Sequence, residues 1–126
     1  MSNKKIKIVL AEDEEIISMA YQQGLGFLGY DVVVAQDGKE AVAAVTAEKP
    51  DILLLDIIMP TMNGFETLET IRGNSVYKDM PIIMLTNLSQ PSDEVKARDL
   101  GATDYLIKSD ITLRQLDERI HEVLGR

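Results

Sequence analysis

Ile52-Leu53-Leu54-Leu55-Asp56-Ile57-Ile58-Met59-Pro60 is apolar up to a single carboxylate and resumes beyond it, with Asn63-Gly64 close behind. Four apolar residues in a row leave no solvent face, which is the pattern of a strand covered on both sides in a parallel sheet. Asp56 then stands at the tip of that strand, beside a turn. There a carboxylate is desolvated by its neighbours yet open to the loop, as a metal ligand or nucleophile must be. The plainer alternative is that Asp56 only starts the turn. Perturbed carboxylates at strand ends are probabilistic markers of sites, so the choice rests on the rest of the chain.

Outward from this segment, short β-type runs alternate with amphipathic stretches five times, at intervals of about two dozen residues, the signature of consecutive βα units and an α/β fold. The strands are expected at Lys5 to Leu10, Asp31 to Ala35, Ile52 to Asp56, Pro81 to Thr86 and Asp104 to Ile107. The third and fourth are apolar almost throughout and should be central. Ile16, Ile17, Ala20, Phe27 and Leu28 recur at helical spacing, as do Leu113, Leu116, Ile120 and Val123, and both sets are expected to be core stripes. Asp37-Gly38, Asn63-Gly64, Pro91-Ser92 and Thr112 supply the capping chemistry that opens the second to fifth helices, and Gly101 closes the fourth. In such sheets ligands bind beyond the carboxyl ends of the strands, at the switch in strand order.

Composition narrows the classes of function. A chain of 126 residues suits one domain, 1–126, and leaves no room for an output module. Apolar residues at 45% and charged residues at 27% are ordinary for a globular protein. A net charge of −8 without an isolated basic patch disfavours direct nucleic-acid binding. Cysteine is absent, which removes disulfides and thiolate metal sites. The start lacks a signal sequence and no apolar stretch reaches the length of a membrane span, so a cytoplasmic location without membrane contact is expected.

The strand ends carry the chemistry. After the first strand comes Ala11-Glu12-Asp13-Glu14-Glu15, where a nucleotide-binding version of the fold would place glycines. Carboxylates repel phosphate but suit magnesium, which takes one or two carboxylates and completes its octahedron with water and phosphate oxygens. A bound metal then makes a phosphoryl group welcome. Glu14 and Glu15 are read as favouring the helix N-terminus, and Glu12 and Asp13 as metal ligands beside Asp56. Thr86 ends the fourth strand with a hydroxyl able to donate to a phosphoryl oxygen. Lys108 follows the fifth strand and supplies a positive charge. Each residue has an ordinary surface alternative, but an acidic pair, an aspartate, a threonine and a lysine at four strand ends point to one site.

With these residues the chain resembles the receiver domain of two-component response regulators, in particular a stand-alone receiver of the chemotaxis-regulator kind. The likeness runs through Leu10-Ala11-Glu12-Asp13, Leu53 to Gly64, Met84-Leu85-Thr86 and Gly101 to Lys108. It implies a single doubly wound (βα)5, flavodoxin-like domain, with a five-stranded parallel sheet of order 2-1-3-4-5 and helices on both faces. It also implies that Asp56 accepts a phosphoryl group from a sensor histidine kinase or a histidine phosphotransfer protein. Magnesium, or manganese in its place, would be held by Glu12, Asp13, Asp56 and the backbone carbonyl of Ile58. Thr86 and Lys108 would bind the acyl-phosphate oxygens, with positioning and charge neutralisation as the catalytic means. Thr86 would move toward the phosphate and Tyr105 rotate inward as a switch. A downstream target would read the face of the fourth helix, fifth strand and fifth helix. Such a protein is a monomer or transient dimer and not an enzyme acting on other molecules.

Two positions depart from the family pattern. Asn87 replaces the usual small residue after the threonine and is expected to restrict Tyr105 or hydrogen-bond the loop. Ser109 stands where proline usually follows the lysine, and a cis bond before a non-proline residue costs roughly 3 kcal/mol, so a trans Lys108–Ser109 peptide is expected. Ile58 and Leu88 flank the site with side chains unable to orient an attacking water, which suggests a long-lived aspartyl phosphate. The rival readings are a phosphorylation-independent interaction module, a flavin- or nucleotide-binding protein on the same fold, and a metal-dependent phosphatase, for which His121 is the one histidine and lies far along the last helix.

Overall fold

The computed structural model describes residues 4–126. Strands and helices alternate as β1 (Lys7–Ala11), α1 (Glu15–Phe27), β2 (Asp31–Ala35), α2 (Gly38–Glu48), β3 (Ile52–Leu55), α3 (Gly64–Arg72), β4 (Ile82–Thr86), α4 (Pro91–Asp99), β5 (Asp104–Ile107) and α5 (Leu113–Leu124). All strand pairs are parallel and the sheet order is β2-β1-β3-β4-β5. The chain leaves β1 toward one edge, then returns past it to β3. The order therefore switches between β1 and β3, and a crevice opens at their carboxyl ends.

The apolar runs of β3 and β4 are buried at every residue, which follows from helices covering both faces. Successive side chains alternate between the two layers. Val9, Leu53, Leu55, Ile82 and Met84 pack with Ala41, Val45, Leu68, Ile71 and Ala97 of α2, α3 and α4. Ile8, Leu10, Leu54, Ile83 and Leu85 pack with Leu25, Leu116 and Ile120 of α1 and α5.

Helix starts follow the capping residues. Asp37 accepts from the Glu40 N–H at 2.8 Å. Asn63 with Glu66 and Thr112 with Gln115 form capping boxes, and Pro91 opens α4. Gly101 has φ +105°, the left-handed conformation that glycine adopts without steric cost. At Gly64 a Cβ would lie 2.2 Å from the Asp56 carbonyl oxygen, so α3 approaches the β3 tip closely only because that carbon is missing.

Four strand boundaries differ from expectation. β1 starts at Lys7 rather than Lys5 and runs through Ala11, β4 starts at Ile82, and β3 ends at Leu55, leaving Asp56 just past the strand. The larger correction is in α1. Ile16 and Phe27 are 84% and 92% exposed, and Ala20 and Leu28 are also exposed; only Ile17 of the expected stripe is partly buried. Ile16, Ala20 and Phe27 do share one face, but Ser18, Tyr21 and Leu25 occupy the face turned to the sheet. Apolar residues lie on more than one side of this helix, and spacing alone cannot say which side the sheet takes. The α5 stripe is placed as expected, with Leu116 and Ile120 buried and Leu113 and Val123 packed beside them.

On the edge formed by α4, β5 and α5, the nearly buried carboxylate of Asp104 accepts from Arg98 of α4 at 3.2 Å and from Arg119 of α5. Arg98 is also paired with Glu94 at 2.9 Å.

Candidate functional site

The strand order brings the ends of β1, β3, β4 and β5 side by side. Ladder pairing sets Ala11 beside Leu55, Leu55 beside Met84, and Thr86 beside Ile107. Residues that directly follow the strands therefore converge. The Asp56 N–H donates to the Ala11 carbonyl at 3.1 Å and the Glu12 N–H to the Ala35 carbonyl at 2.9 Å, so both acidic residues begin from fixed backbone.

Glu12 is 2% exposed and Asp56 7%. Neither charge is left without a partner. The Lys108 ammonium donates to Asp56 Oδ2 at 2.7 Å and also to Glu12 Oε1. The second oxygen of Glu12 accepts from the Glu14 N–H at 3.0 Å, and Asp56 Oδ1 accepts from the Ile57 N–H at 2.7 Å. Asp13 is exposed at the rim, and carboxylate oxygens of Glu12, Asp13 and Asp56 all lie within 4.8 Å of one another.

Burial raises the Glu12 pKa, against the lowering effect of Lys108 and the Glu14 N–H. Burial also works against the Lys108 charge, but hydrogen bonds to Asp56 and Glu12 outweigh it and the pKa is raised. Three carboxylates thus face one ammonium, a formal excess of two negative charges. Closely spaced oxygens with such an excess suit a hard divalent cation. The donor set, oxygen alone and open on one side, fits magnesium better than zinc, which prefers nitrogen and sulfur.

A cleft of about 250 Å³ opens over the carboxylates, lined by Asp13, Asp56, Ile58, Thr86, Asn87 and Lys108 among others. Thr86 is buried and its hydroxyl oxygen accepts from the Leu88 N–H at 3.3 Å, so the hydroxyl proton is free to be donated into the cleft. Ile58 is 61% exposed at the mouth. A larger hollow of about 560 Å³ lies at the other end of the sheet, with Lys7 paired to Glu48 and Arg126 paired to Asp51 in its lining.

Glu12, Asp13, Asp56, Thr86 and Lys108 are brought together as their positions at strand ends predicted. Tyr105 does not line the cleft. It is buried, its hydroxyl donates to the Leu88 carbonyl at 2.6 Å, and burial, with Asp93, Glu94 and Asp56 nearby, pushes its pKa up to about 12. The Lys108–Ser109 peptide is trans, and the Ser109 N–H donates to Asn87 Oδ1 at 3.1 Å. The two departures from the family pattern thus meet each other, which reading them separately did not anticipate. Asp104 was also missed as a junction, although Arg98 and Arg119 on the flanking helices were the available signal.

The profile of the response regulator receiver domain matches residues 8–121. The chain is 39% identical, over 98% of its length, to the protein named "Probable transcriptional regulator ycf27" of Porphyridium aerugineum. It is 38% identical, again over 98%, to the alkaline phosphatase synthesis transcriptional regulatory protein PhoP of Bacillus subtilis (strain 168). It spans 50% of each of those proteins. Among solved structures, the chemotaxis protein CheY4 of Vibrio cholerae superposes with a TM-score of 0.88 at 32% identity, covering 95% of this chain and 99% of that one. The chain belongs to the response regulator receiver domain family. The fold is flavodoxin-like, with the family's strand order, and the domain is a signalling domain of the phosphoacceptor kind. No helix among the described residues is long and apolar enough to cross a membrane.

Proposed function

We propose that Asp56 is the phosphoacceptor of this domain, taking a phosphoryl group from the phosphohistidine of a sensor histidine kinase or a histidine phosphotransfer protein. One observation carries the reading: Asp56 Oδ2 lies in reach of the Lys108 ammonium, inside a set of carboxylate oxygens spaced to hold a metal. The donor's N–P bond breaks as the bond from an Asp56 oxygen to phosphorus forms, with the carboxylate supplying the electron pair. Such transfer is governed by alignment and charge stabilisation. Lys108, already directed at Asp56, follows the charge onto the phosphoryl oxygens, and Thr86 donates its hydroxyl proton to one of them. Glu12 and Asp13, with Asp56 and the Ile58 carbonyl, would hold magnesium or manganese. Such an ion supplies neutralisation of the charge shared between carboxylate and phosphoryl group.

Phosphorylation withdraws Lys108 and Thr86 toward the new group. Thr86, the last residue of β4, accepts from the N–H of Leu88, whose carbonyl holds Tyr105, so the same event bears on the Tyr105 hydrogen bond and on the face of α4, β5 and α5, where a target protein would read it. A two-state equilibrium biased by local charge is sufficient. The test is intact-mass spectrometry after incubation with magnesium and acetyl phosphate, wild type beside Asp56→Asn. One added phosphoryl group that requires magnesium and vanishes in Asp56→Asn supports the reading. A wild type that stays unmodified with acetyl phosphate and with active histidine kinases refutes it in favour of a phosphorylation-independent interaction module.

A further inference from the structure

Lys108 and Thr86 approach the site from the ends of β5 and β4, and a hydrogen bond joins the segments that follow those strands. The Ser109 N–H, adjacent to Lys108, donates to the side-chain oxygen of Asn87, adjacent to Thr86, at 3.1 Å. A backbone N–H can only donate, so this contact fixes the orientation of the Asn87 amide, with Oδ1 toward Ser109. Asn87 lines the cleft over Asp56. The bond needs an acceptor side chain at 87 and any residue but proline at 109, since proline has no N–H to give and an aliphatic residue at 87 has no acceptor. The next residue, Leu88, is held from β5 through its carbonyl and the Tyr105 hydroxyl at 2.6 Å. The loop between β4 and α4 is thereby tied to the fifth strand and its following turn at two successive residues.

We propose that Asn87 is a positioning residue for phosphoryl transfer, setting the separation of Thr86 and Lys108 through its bond to Ser109 before the phosphoryl group arrives. This deepens the assignment of Asp56 as phosphoacceptor and rests on it. Groups held at the correct spacing cost no reorganisation during the reaction, and small misplacements slow it. The Thr86 hydroxyl and the Lys108 ammonium must meet one phosphoryl group together, and the bridge sits one residue beyond each.

The test has two parts, applied to wild type, Asn87→Ala, Ser109→Pro and the double variant. Amide hydrogen exchange at Ser109 in the unphosphorylated protein reads the bond itself and is expected to lose protection in Asn87→Ala. The rate of phosphoryl uptake from acetyl phosphate with magnesium, followed by intact mass, is expected to fall about fivefold in Asn87→Ala, the size of one ordinary hydrogen bond. The double variant should be no slower than the slower single variant, because both changes delete one interaction. Lost protection with wild-type uptake rates would overturn the positioning role while leaving Asp56 as phosphoacceptor. Additive rate losses would overturn it as well. No uptake by the wild type would overturn the phosphoacceptor assignment and this inference with it.

Discussion

Replacing Lys108 with methionine removes the cation that pairs with Glu12 and Asp56 while keeping most of the side chain's apolar length. In the native protein the ammonium is 2.7 Å from Asp56 Oδ2 and also touches Glu12, and all three side chains are at most one-tenth exposed. Two unit charges at about 4 Å attract by about 4 kcal/mol at an effective dielectric of about 20. The ammonium meets two carboxylates, and its own desolvation offsets much of that sum. Deleting one partner of a buried pair costs about 3–5 kcal/mol, because the charge left behind has no counter-ion. Lys108→Met is therefore expected to lower metal-free stability by about 3 kcal/mol at pH 8, measured by urea unfolding with a chelator present. The sign with pH follows from Glu12, whose pKa is raised by burial. As pH falls, Glu12 takes up a proton in the folded variant and needs no cation, so the deficit should shrink toward pH 5. Magnesium should narrow it too, since an ion at a hundredfold above its Kd contributes about 2.7 kcal/mol and no longer competes with an ammonium. Equal metal-free stabilities, or a larger gain from magnesium in the wild type than in Lys108→Met, would refute the electrostatic account of the site.

Gly64→Ala places a carbon 2.2 Å from the Asp56 carbonyl oxygen. It should cost about 1–3 kcal/mol by overpacking and slow phosphoryl uptake together, as read by thermal unfolding and intact mass. Phe27→Ser should change stability by less than about 0.5 kcal/mol because the ring is in solvent, whereas Leu25→Ala, two residues away and fully buried, should cost about 2–5 kcal/mol; urea midpoints compare them directly. Ile58→Asn puts a hydrogen-bonding group at the mouth of the cleft and should shorten the lifetime of the phosphorylated form about tenfold, one hydrogen bond of about 1.4 kcal/mol to an attacking water. A mass time course after removal of the donor reads that lifetime, and an unchanged lifetime would remove the basis for a protected aspartyl phosphate. Tyr105 keeps its proton up to about pH 12 in the fold but loses it near pH 10 when unfolded, so stability should fall between those values, and less steeply in Tyr105→Phe.

The α/β class, the central position of β3 and β4 and the five converging site residues were legible because each follows from a local rule: unbroken apolar runs, helix caps and polar residues at strand tips. The inward face of α1 was not. Ile16, Ala20 and Phe27 obey helical spacing as well as Ser18, Tyr21 and Leu25 do, and only the sheet decides between them. Sequence placed Lys108 at the site as a phosphate ligand, but its contact with Glu12 as well as Asp56 depends on side-chain reach from the end of β5 past β4 to the ends of β3 and β1. The Asn87–Ser109 bond likewise joins positions 22 residues apart, a separation at which no periodicity speaks.

Asp104 gives the edge of the domain a particular mechanical character. One carboxylate has two oxygens, and here one is engaged by Arg98 and the other by Arg119. α4 and α5 are thus both tied to β5 through the same side chain. A single substitution at residue 104 would remove both of these ties at once, leaving α4 and α5 held to the sheet by their packed faces alone.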